Sequence, residues 1–295
     1  MICGPTAAGK TSIGIALCQA LNGEVISADS RQFYTEMSIG TAKPAVAEMK
    51  GIPHHFIDHC SIDSPITAGE FERQGEQRIQ EILNREKLPV VVGGSGLFIR
   101  SLMEGLDDLP SDQNLRQELI AQFENEGLPS LLDRLAKYDP DAKRGIDHKN
   151  QVRVMRAIEL VELSGKPLAE LRDQEKNAKD FEPIWIGITP EREVLYERID
   201  QRVDQMMEAG LEAEVRSLVR HRYTDALKTV GYKELFSFFD GDHDLAEAVR
   251  LIKRNSRHYA KRQLTWFRKI DGIKWFEPEQ VDEVKEYVKS QVTVF

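Results

Sequence analysis

The feature that most constrains this chain is a glycine-rich octapeptide near its start, Gly4-Pro5-Thr6-Ala7-Ala8-Gly9-Lys10-Thr11. It matches the pattern G-x-x-x-x-G-K-[S/T], in which backbone N–H groups turn towards an anion, the lysine adds positive charge and the hydroxyl is a ligand for Mg²⁺. Residues 12–21 have a helical pattern, so a helix N-terminus would also face the anion. The octapeptide, here called the phosphate loop, therefore predicts a site for a di- or triphosphate.

The bulk composition is that of an ordinary globular protein. A length of 295 residues allows one large domain or two smaller ones. The three cysteines include no C-x-x-C pair, which argues against a zinc site and favours a reducing compartment, the cytoplasm. No apolar run is long enough to cross a bilayer, so we expect no membrane partner. Because the phosphate loop begins at residue 4, we expect no signal peptide and a first strand that is very short or incomplete.

Short apolar runs alternate with helical patterns along much of the chain. The runs cover residues 24–28, 89–94 and 184–189, and a helical pattern covers 70–85. This alternation predicts an α/β fold with a parallel sheet flanked by helices. Ligands of such sheets bind at the carboxyl ends of the strands, so the phosphate loop, Asp29 and Gly93-Gly94 should converge.

Strand patterns are absent between residues 109 and 180. Helical patterns cover 113–126, 128–138, 152–164 and 167–179. We interpret 109–180 as an all-helical insertion domain, which leaves 1–108 and 181–295 for the α/β core. A single long helix is predicted from about 191 to 220.

Polar and glycine positions at the strand ends suggest chemistry. Asp29 is either a base that orients a nucleophile or an ordinary turn aspartate. Gly93-Gly94 stands where a motor ATPase commonly carries an acidic residue for Mg²⁺. The two glycines indicate either a close approach of backbone to a ligand or a flexible turn.

Two sets of basic residues have helical spacing. Arg198 and Arg202 share a helix face. They are either a clamp for phosphate or part of an ordinary solvated surface. The net charge of the chain is −9, yet residues 250–269 hold eight Lys or Arg and no acidic residue. Arg250, Arg254, Arg257 and Lys261 form a basic stripe on one helix, with Tyr259, Trp266 and Phe267 interleaved. We favour nucleic acid over a solvated face for this stripe. A weaker basic set follows in the insertion: Lys143, Arg144, Lys149, Arg153 and Arg156.

Taken in order, the motifs resemble those of the tRNA dimethylallyltransferases. The resemblance covers nearly the whole chain and rests on Gly4–Thr11, Asp29-Ser30-Arg31-Gln32, Ile39-Gly40-Thr41-Ala42-Lys43-Pro44, Val92-Gly93-Gly94-Ser95-Gly96-Leu97, Val230-Gly231-Tyr232-Lys233 and Lys261-Arg262-Gln263-Leu264-Thr265-Trp266-Phe267-Arg268.

The resemblance implies a P-loop NTPase-like core with an insertion that binds the tRNA anticodon arm. It implies transfer of a dimethylallyl group from dimethylallyl diphosphate to N6 of adenosine-37, 3′ to the anticodon. The loop would hold a prenyl diphosphate rather than ATP, with Mg²⁺ as cofactor, in a cytoplasmic monomer.

The resemblance also assigns roles to residues. Lys10, Thr11 and Arg202 would stabilise the departing diphosphate, with Thr11 as the metal ligand, and Asp29 would act as the base. The diphosphate would be bound by Gly4, Pro5, Thr6, Ala7, Ala8, Gly9, Lys10 and Thr11. The implied tRNA contacts are Asp29, Ser30, Arg31, Gln32, Ser95, Arg153, Arg156, Lys228, Gly231, Tyr232, Lys233, Arg254, Arg257, Lys261, Arg262, Gln263, Trp266 and Arg268.

Three other functions are compatible with the phosphate loop. An adenylate dimethylallyltransferase would need neither the basic stripe nor the insertion. A small-molecule or nucleotide kinase would bind ATP. An RNA-binding protein with a nucleotide-gated loop would carry out no transfer.

Overall fold

The computed structural model describes residues 1–105, 110, 112–142, 146–172 and 179–292, without the side chains of residues 113 and 172. Lys143, Arg144 and the predicted boundary at 108/109 lie outside the described residues. The chain divides into two compact units, one formed by Met1–Met103 with Asp180–Phe295 and the other by Glu104–Lys179.

A parallel sheet organises the first unit. Within the described residues it has six strands in the order β3-β2-β4-β1-β5-β6, and every pair is parallel. The predicted α/β class is confirmed, and the first strand is indeed very short. The strands are β1 (Ile2–Cys3), β2 (Gly23–Ala28), β3 (His54–His55), β4 (Leu88–Gly93), β5 (Ile186–Ile188) and β6 (Lys274–Phe276).

Alternate residues of the central strands face two separate cores, because successive side chains of a strand point to opposite faces. Ile26 and Val91 pack with an aromatic group that includes Phe33 and Phe71. Val25 and Val90 pack in a second cluster with residues of α1 and α11. The helices that accompany the strands are α1 (Lys10–Ala20), α2 (Ala68–Leu83), α3 (Gly96–Glu104) and α11 (Val281–Gln291).

The prediction of a single helix over 191–220 is wrong. The structure has α7 (Arg192–Glu208) and α8 (Leu211–Ser217), separated at Gly210, whose φ of 99° is left-handed. A short 3₁₀ turn, Val219–His221, follows. The break arises because glycine adopts this conformation without the steric cost that other residues incur. Two further helices, α9 (Tyr232–Phe239) and α10 (Leu245–Phe267), complete this part of the fold.

The second unit is helical throughout its described secondary structure. It contains α4 (Gln113–Tyr138), α5 (Gln151–Ser164) and α6 (Leu168–Arg172). The backbone of α4 is interrupted at Gly127, as the two predicted segments 113–126 and 128–138 anticipate. Leu119, Leu135 and Ile158 lie in its own hydrophobic core. Residues 173–178 of the predicted fourth helix lie outside the described residues.

Among the described residues of the whole chain, no helix is long and apolar enough to cross a membrane.

A buried carboxylate joins three elements at the amino end of the sheet. Glu24 of β2 is 3% exposed. It accepts hydrogen bonds from Arg85 at 2.8 Å and Lys87 at 2.9 Å and lies 2.7 Å from His55 Nε2. Burial by itself raises the pKa of Glu24, but the hydrogen bonds from His55, Lys87 and Arg85 outweigh it and lower the pKa to about 2. The ionised form therefore stabilises the fold.

We expect Glu24→Gln to lower the free energy of unfolding at neutral pH by about 2–3 kcal/mol, because a charged, hydrogen-bonded acceptor is lost from a buried position. A folded-state pKa below the unfolded one gives stability that is present above the unfolded pKa, about 4.3, and is lost as pH falls towards 2. The variant should therefore show a flatter decline of stability between pH 5 and 2.

Urea unfolding followed by tryptophan fluorescence would test this, because Trp185, Trp266 and Trp275 all belong to the first unit. Glu86→Gln is the matched control, since Glu86 is exposed and lies between Arg85 and Lys87 in sequence. Equal acid sensitivity in wild type and Glu24→Gln would contradict the prediction.

Candidate active site

The phosphate loop connects β1 to α1 and has the backbone geometry of an anion site. Gly4, Ala7 and Gly9 have φ values of 146°, 62° and 86°, and Gly9 is the N-cap of α1. The first N–H groups of a helix have no partner within the helix and can bind an anion. The first helical residue is Lys10, whose Nζ donates to the Pro5 carbonyl at 2.6 Å.

Two cations lie at this loop. Burial lowers the pKa of Lys10 to about 8; nearby Asp29 opposes that shift and Arg202 adds to it. Burial also lowers the pKa of Arg202, and Asp29 opposes this. Arg202 donates to the Thr6 hydroxyl at 3.2 Å, whereas Arg198 forms an ion pair with Glu279 at 2.8 Å. The structure thus brings Arg202, and not Arg198, to the phosphate loop.

The loop and strand β4 are tied together by one side chain. Gln263 of α10 accepts a hydrogen bond from the Thr6 N–H at 2.8 Å and donates to the Gly94 carbonyl at 2.9 Å. It is buried, with 7% exposure. Gln263 was predicted to contact tRNA. Both ends of its amide are bound inside the protein, and the tRNA contact stays a prediction.

The glycines after β4 meet protein rather than open space. A Cβ on Gly93 would collide with the backbone carbonyl of Ala28, and one on Gly94 would collide with Gln263. The sequence suggested a close approach of backbone to a ligand at Gly93-Gly94. The structure instead shows Gly93 close to β2 and Gly94 close to α10. An acidic side chain in place of Gly93 would not fit this packing, although Gly93 itself lines the cavity beside the loop.

Asp29 follows β2 and faces that cavity. One carboxylate oxygen accepts a hydrogen bond from the Arg31 N–H at 3.1 Å, as expected of an aspartate in a turn. No described hydrogen bond uses the other oxygen. Ser30 is held by Ser95, with its N–H 2.9 Å and its hydroxyl 3.1 Å from the Ser95 hydroxyl. Gln32 donates to the carbonyls of residues 41 and 42. The motif 29–32 thus fixes the carboxylate relative to two neighbouring segments.

The cavity beside the phosphate loop, here called the inner chamber, has a volume of about 140 Å³. Its polar side is formed by Thr6, Lys10, Thr11, Asp29 and Arg202. Its apolar side is formed by Ile199, Val203, Met206, Leu211, Val230 and Ile252, which sequence reasoning did not assign to a site. The chamber can therefore hold an anionic group and a small hydrocarbon together.

A second cavity adjoins the inner chamber and is more open. This outer chamber has a volume of about 460 Å³, and its lining includes Ser30, Arg31, Ser95, Lys228, Lys233, His258, Tyr259 and Arg262. Lys228 forms an ion pair with Asp225, while Arg31 donates to the carbonyls of Asp225 and Ala226. Six of the predicted tRNA contacts therefore line this one opening: Ser30, Arg31, Ser95, Lys228, Lys233 and Arg262.

Tyr232 has a structural position. It is fully buried, and its hydroxyl donates to Glu214 at 2.6 Å. Glu214 also accepts from the N–H groups of Ser38, Ile39 and Gly40 at 3.0, 2.7 and 3.0 Å. The predicted tRNA contact at Tyr232 is thus replaced by support of the turn at 38–41. No local signal in the sequence identifies Glu214 as the partner.

Gly231, also predicted to contact tRNA, is buried at the start of α9 with a φ of 95°.

The basic stripe is partly neutralised, contrary to the expectation from its sequence. Arg250 pairs with Glu247 at 2.6 Å, and Arg257 pairs with Asp200 of α7 at 2.5 Å. Arg254 donates to Asn255, and no described ion pair involves Lys261, Arg262 or Arg268, which are exposed. Trp266 is half-buried and packs against the core rather than standing free. The basic surface that remains lies at the carboxyl end of α10 and just after it, and Arg262 of this set lines the outer chamber.

The predicted contacts in the insertion lie on α5 of the second unit. Arg153 is exposed. Arg156 is engaged with Glu159 at 2.5 Å and with the Pro110 carbonyl at 2.9 Å. Arg153 is thus the more accessible of the two.

Comparisons with known proteins agree with the motif resemblance. A model described as IPP transferase matches residues 32–270. A tRNA dimethylallyltransferase from Cytophaga hutchinsonii is 45% identical over 99% of this chain and 96% of the relative. One from Bacteroides thetaiotaomicron is 39% identical over 99% and 95%.

Solved structures give the same answer. The full-length tRNA isopentenylpyrophosphate transferase from Bacillus halodurans has a TM-score of 0.74 and 39% identity, covering 98% of this chain and 95% of that one. A eukaryotic dimethylallyltransferase acting on tRNA has a TM-score of 0.82 and 27% identity, covering 98% and 76%. With the family model matching most of its length, this chain belongs to the IPP transferase family.

Proposed function

We propose that this chain transfers a dimethylallyl group from dimethylallyl diphosphate to N6 of adenosine-37, 3′ to the anticodon, in tRNA. The observation that carries the proposal is the inner chamber, where a phosphate loop, an apolar wall and one carboxylate meet. The relatives reported above are named for tRNA dimethylallyl transfer, which supports the same reaction.

The phosphate loop suits a leaving group. As the allylic C–O bond breaks, negative charge accumulates on the diphosphate. The N–H groups at the start of α1, the Lys10 ammonium and the Arg202 guanidinium lie where that charge would develop. Donors that are already oriented in a poorly solvated site stabilise such charge without reorganisation.

A magnesium ion fits the donor set at the loop. The Thr11 hydroxyl lines the inner chamber, and among the described residues no group of three His, Cys, Asp or Glu could hold a metal. Mg²⁺ prefers oxygen ligands and is commonly bound by one or two protein groups with phosphate oxygens and water. Thr11 would hold it, and the ion would supply additional charge stabilisation for the diphosphate.

The apolar side of the inner chamber suits a short prenyl chain. The volume of the whole inner chamber, about 140 Å³, is close to the ~150 Å³ of an engineered apolar cavity that accepts benzene. A five-carbon group is of that size. Met206, Leu211 and Ile252 belong to the wall, so contacts with them would favour the donor's hydrocarbon over water.

The proposed role of Asp29, which lines the inner chamber, is to act on the nucleophile. The exocyclic amine of adenine is a poor nucleophile because its lone pair is delocalised. A carboxylate that accepts an N–H of this amine raises its electron density and takes the proton when the N–C bond forms. The target base would enter through the outer chamber, and this requires it to leave the stack of the anticodon loop. One copy of the chain supplies both chambers, so we propose that it acts as a monomer. We also propose that it acts in the cytoplasm.

Asp29→Asn should lower the rate of transfer by about 10²–10⁴-fold, because the amide cannot take the proton. Binding of dimethylallyl diphosphate should change little. Label transfer from the donor to an anticodon stem-loop measures the rate, and titration with inorganic diphosphate measures binding. Asp271→Asn, at an exposed carboxylate outside both chambers, is the control. An unchanged rate in Asp29→Asn would remove this residue from the chemistry, and transfer to AMP but not to the stem-loop would favour an adenylate enzyme.

Arg202→Gln should reduce the rate constant for transfer by about 10²–10³-fold, since a cation that faces the developing charge is removed. Arg198→Gln breaks only an exposed ion pair with Glu279 and should be nearly silent. Single-turnover measurements with saturating stem-loop would separate this effect from product release. Equal losses in the two variants would contradict the assignment of Arg202.

Lys233→Ala combined with Arg262→Ala should weaken binding of the anticodon stem-loop. Both side chains line the outer chamber. The slope of log K against log salt should fall by about 0.7–0.9 for each RNA phosphate that the variant no longer neutralises. Arg250→Ala is the control, because Arg250 is already paired with Glu247. If the salt slope of the double variant stays at the wild-type value, this surface is an ordinary solvated face that does not bind RNA phosphates.

A further inference from the structure

The inner and outer chambers are separated by a small set of residues. Arg31, Thr229, Val230 and Tyr259 line both chambers. Among these, the aromatic ring of Tyr259 is the largest rigid group. Tyr259 lies on α10, four residues before Gln263, which ties α10 to the phosphate loop. The position of this ring relative to the loop is therefore fixed by the same helix.

Tyr259 has a neighbour of opposite charge on each side, the Arg262 guanidinium in the outer chamber and the Asp29 carboxylate in the inner one. The residue is 36% exposed, and the Arg262 guanidinium carbon lies 5.7 Å from its ring centroid, on the outer chamber. Asp29, a residue of the inner chamber, lies near enough to act electrostatically on the Tyr259 hydroxyl. Burial and the nearby Asp29 carboxylate raise the pKa of Tyr259 to about 12, so the hydroxyl stays neutral in ordinary buffers. Ser95, which lines the outer chamber together with Tyr259, is hydrogen-bonded to Ser30, next to Asp29 in the chain.

We propose that Tyr259 is a positioning residue that closes the inner chamber against water and presents the incoming base to Asp29. This inference rests on the proposed function. The ring, which lines both chambers, forms the partition between them. A purine that enters from the outer chamber can stack on the exposed part of the ring, beside the Arg262 guanidinium.

Such a partition matters because water competes with the amine. In the productive reaction the C1–O bond of the donor breaks, a bond forms from N6 to C1, and the N6 proton passes to Asp29. If water reaches C1 instead, an O–C1 bond forms, and dimethylallyl alcohol, diphosphate and a proton result. Excluding water from a site with an electrophilic intermediate prevents this side reaction.

Two substitutions separate the ring from the hydroxyl. Tyr259→Phe keeps the ring and should transfer with the alcohol-to-product ratio of the wild type, at a rate lower by up to about tenfold for the lost hydroxyl. Tyr259→Ala opens the partition. It should lower the rate of transfer about a hundredfold through misplacement of the base and raise the alcohol-to-product ratio at least about tenfold.

The experiment uses the full chain, labelled dimethylallyl diphosphate and an anticodon stem-loop, with alcohol and modified RNA quantified in the same reaction. Tyr223→Ala is the matched control, because Tyr223 is 81% exposed and lines neither chamber. A Tyr259→Ala chain that slows both products equally, with an unchanged ratio, would overturn the inference. A wild-type chain that modifies no stem-loop would instead overturn the proposed function, a result that does not depend on Tyr259.

Discussion

The two hydrogen bonds of the Gln263 amide are the constraint on which the site depends. One holds the Thr6 N–H of the phosphate loop and the other holds the carbonyl of Gly94 at the end of β4. Through them, α10 is fixed against the carboxyl edge of the sheet. The same helix contributes Ile252 to the apolar wall and Tyr259 to the partition, so the shape of both chambers follows from this attachment.

Much of the fold could be predicted from the sequence because its signals are local. The apolar runs of β2 and β4 are buried on both faces and bounded by helical patterns, so the parallel sheet could be inferred. The phosphate loop depends on the identities of eight consecutive residues. The interruption at Gly127 coincides with a glycine followed by Pro129, a pair that ends a helical pattern.

The parts that could not be predicted depend on partners that are distant in the chain. Gly210 interrupts an amphipathic pattern that continues on both sides, so the break between α7 and α8 is hidden. Glu214 supports the turn at 38–40 across 174 to 176 residues. Asp200 neutralises Arg257 from another helix, and the basic run alone gives no sign of it. The spacing of Arg198 and Arg202 likewise left both open, and only the fold shows that Arg202 is the one at the phosphate loop.

The low pKa of Lys10 has a consequence for turnover. In the free chain this ammonium is held in an unfavourable environment, beside a second cation and with Asp29 as the nearby compensating charge. Under the proposed reaction, the departing diphosphate carries one more negative charge than the donor that delivered it. The two cations therefore attract the product more strongly than the substrate, and the loop must release diphosphate against this attraction before another donor can bind.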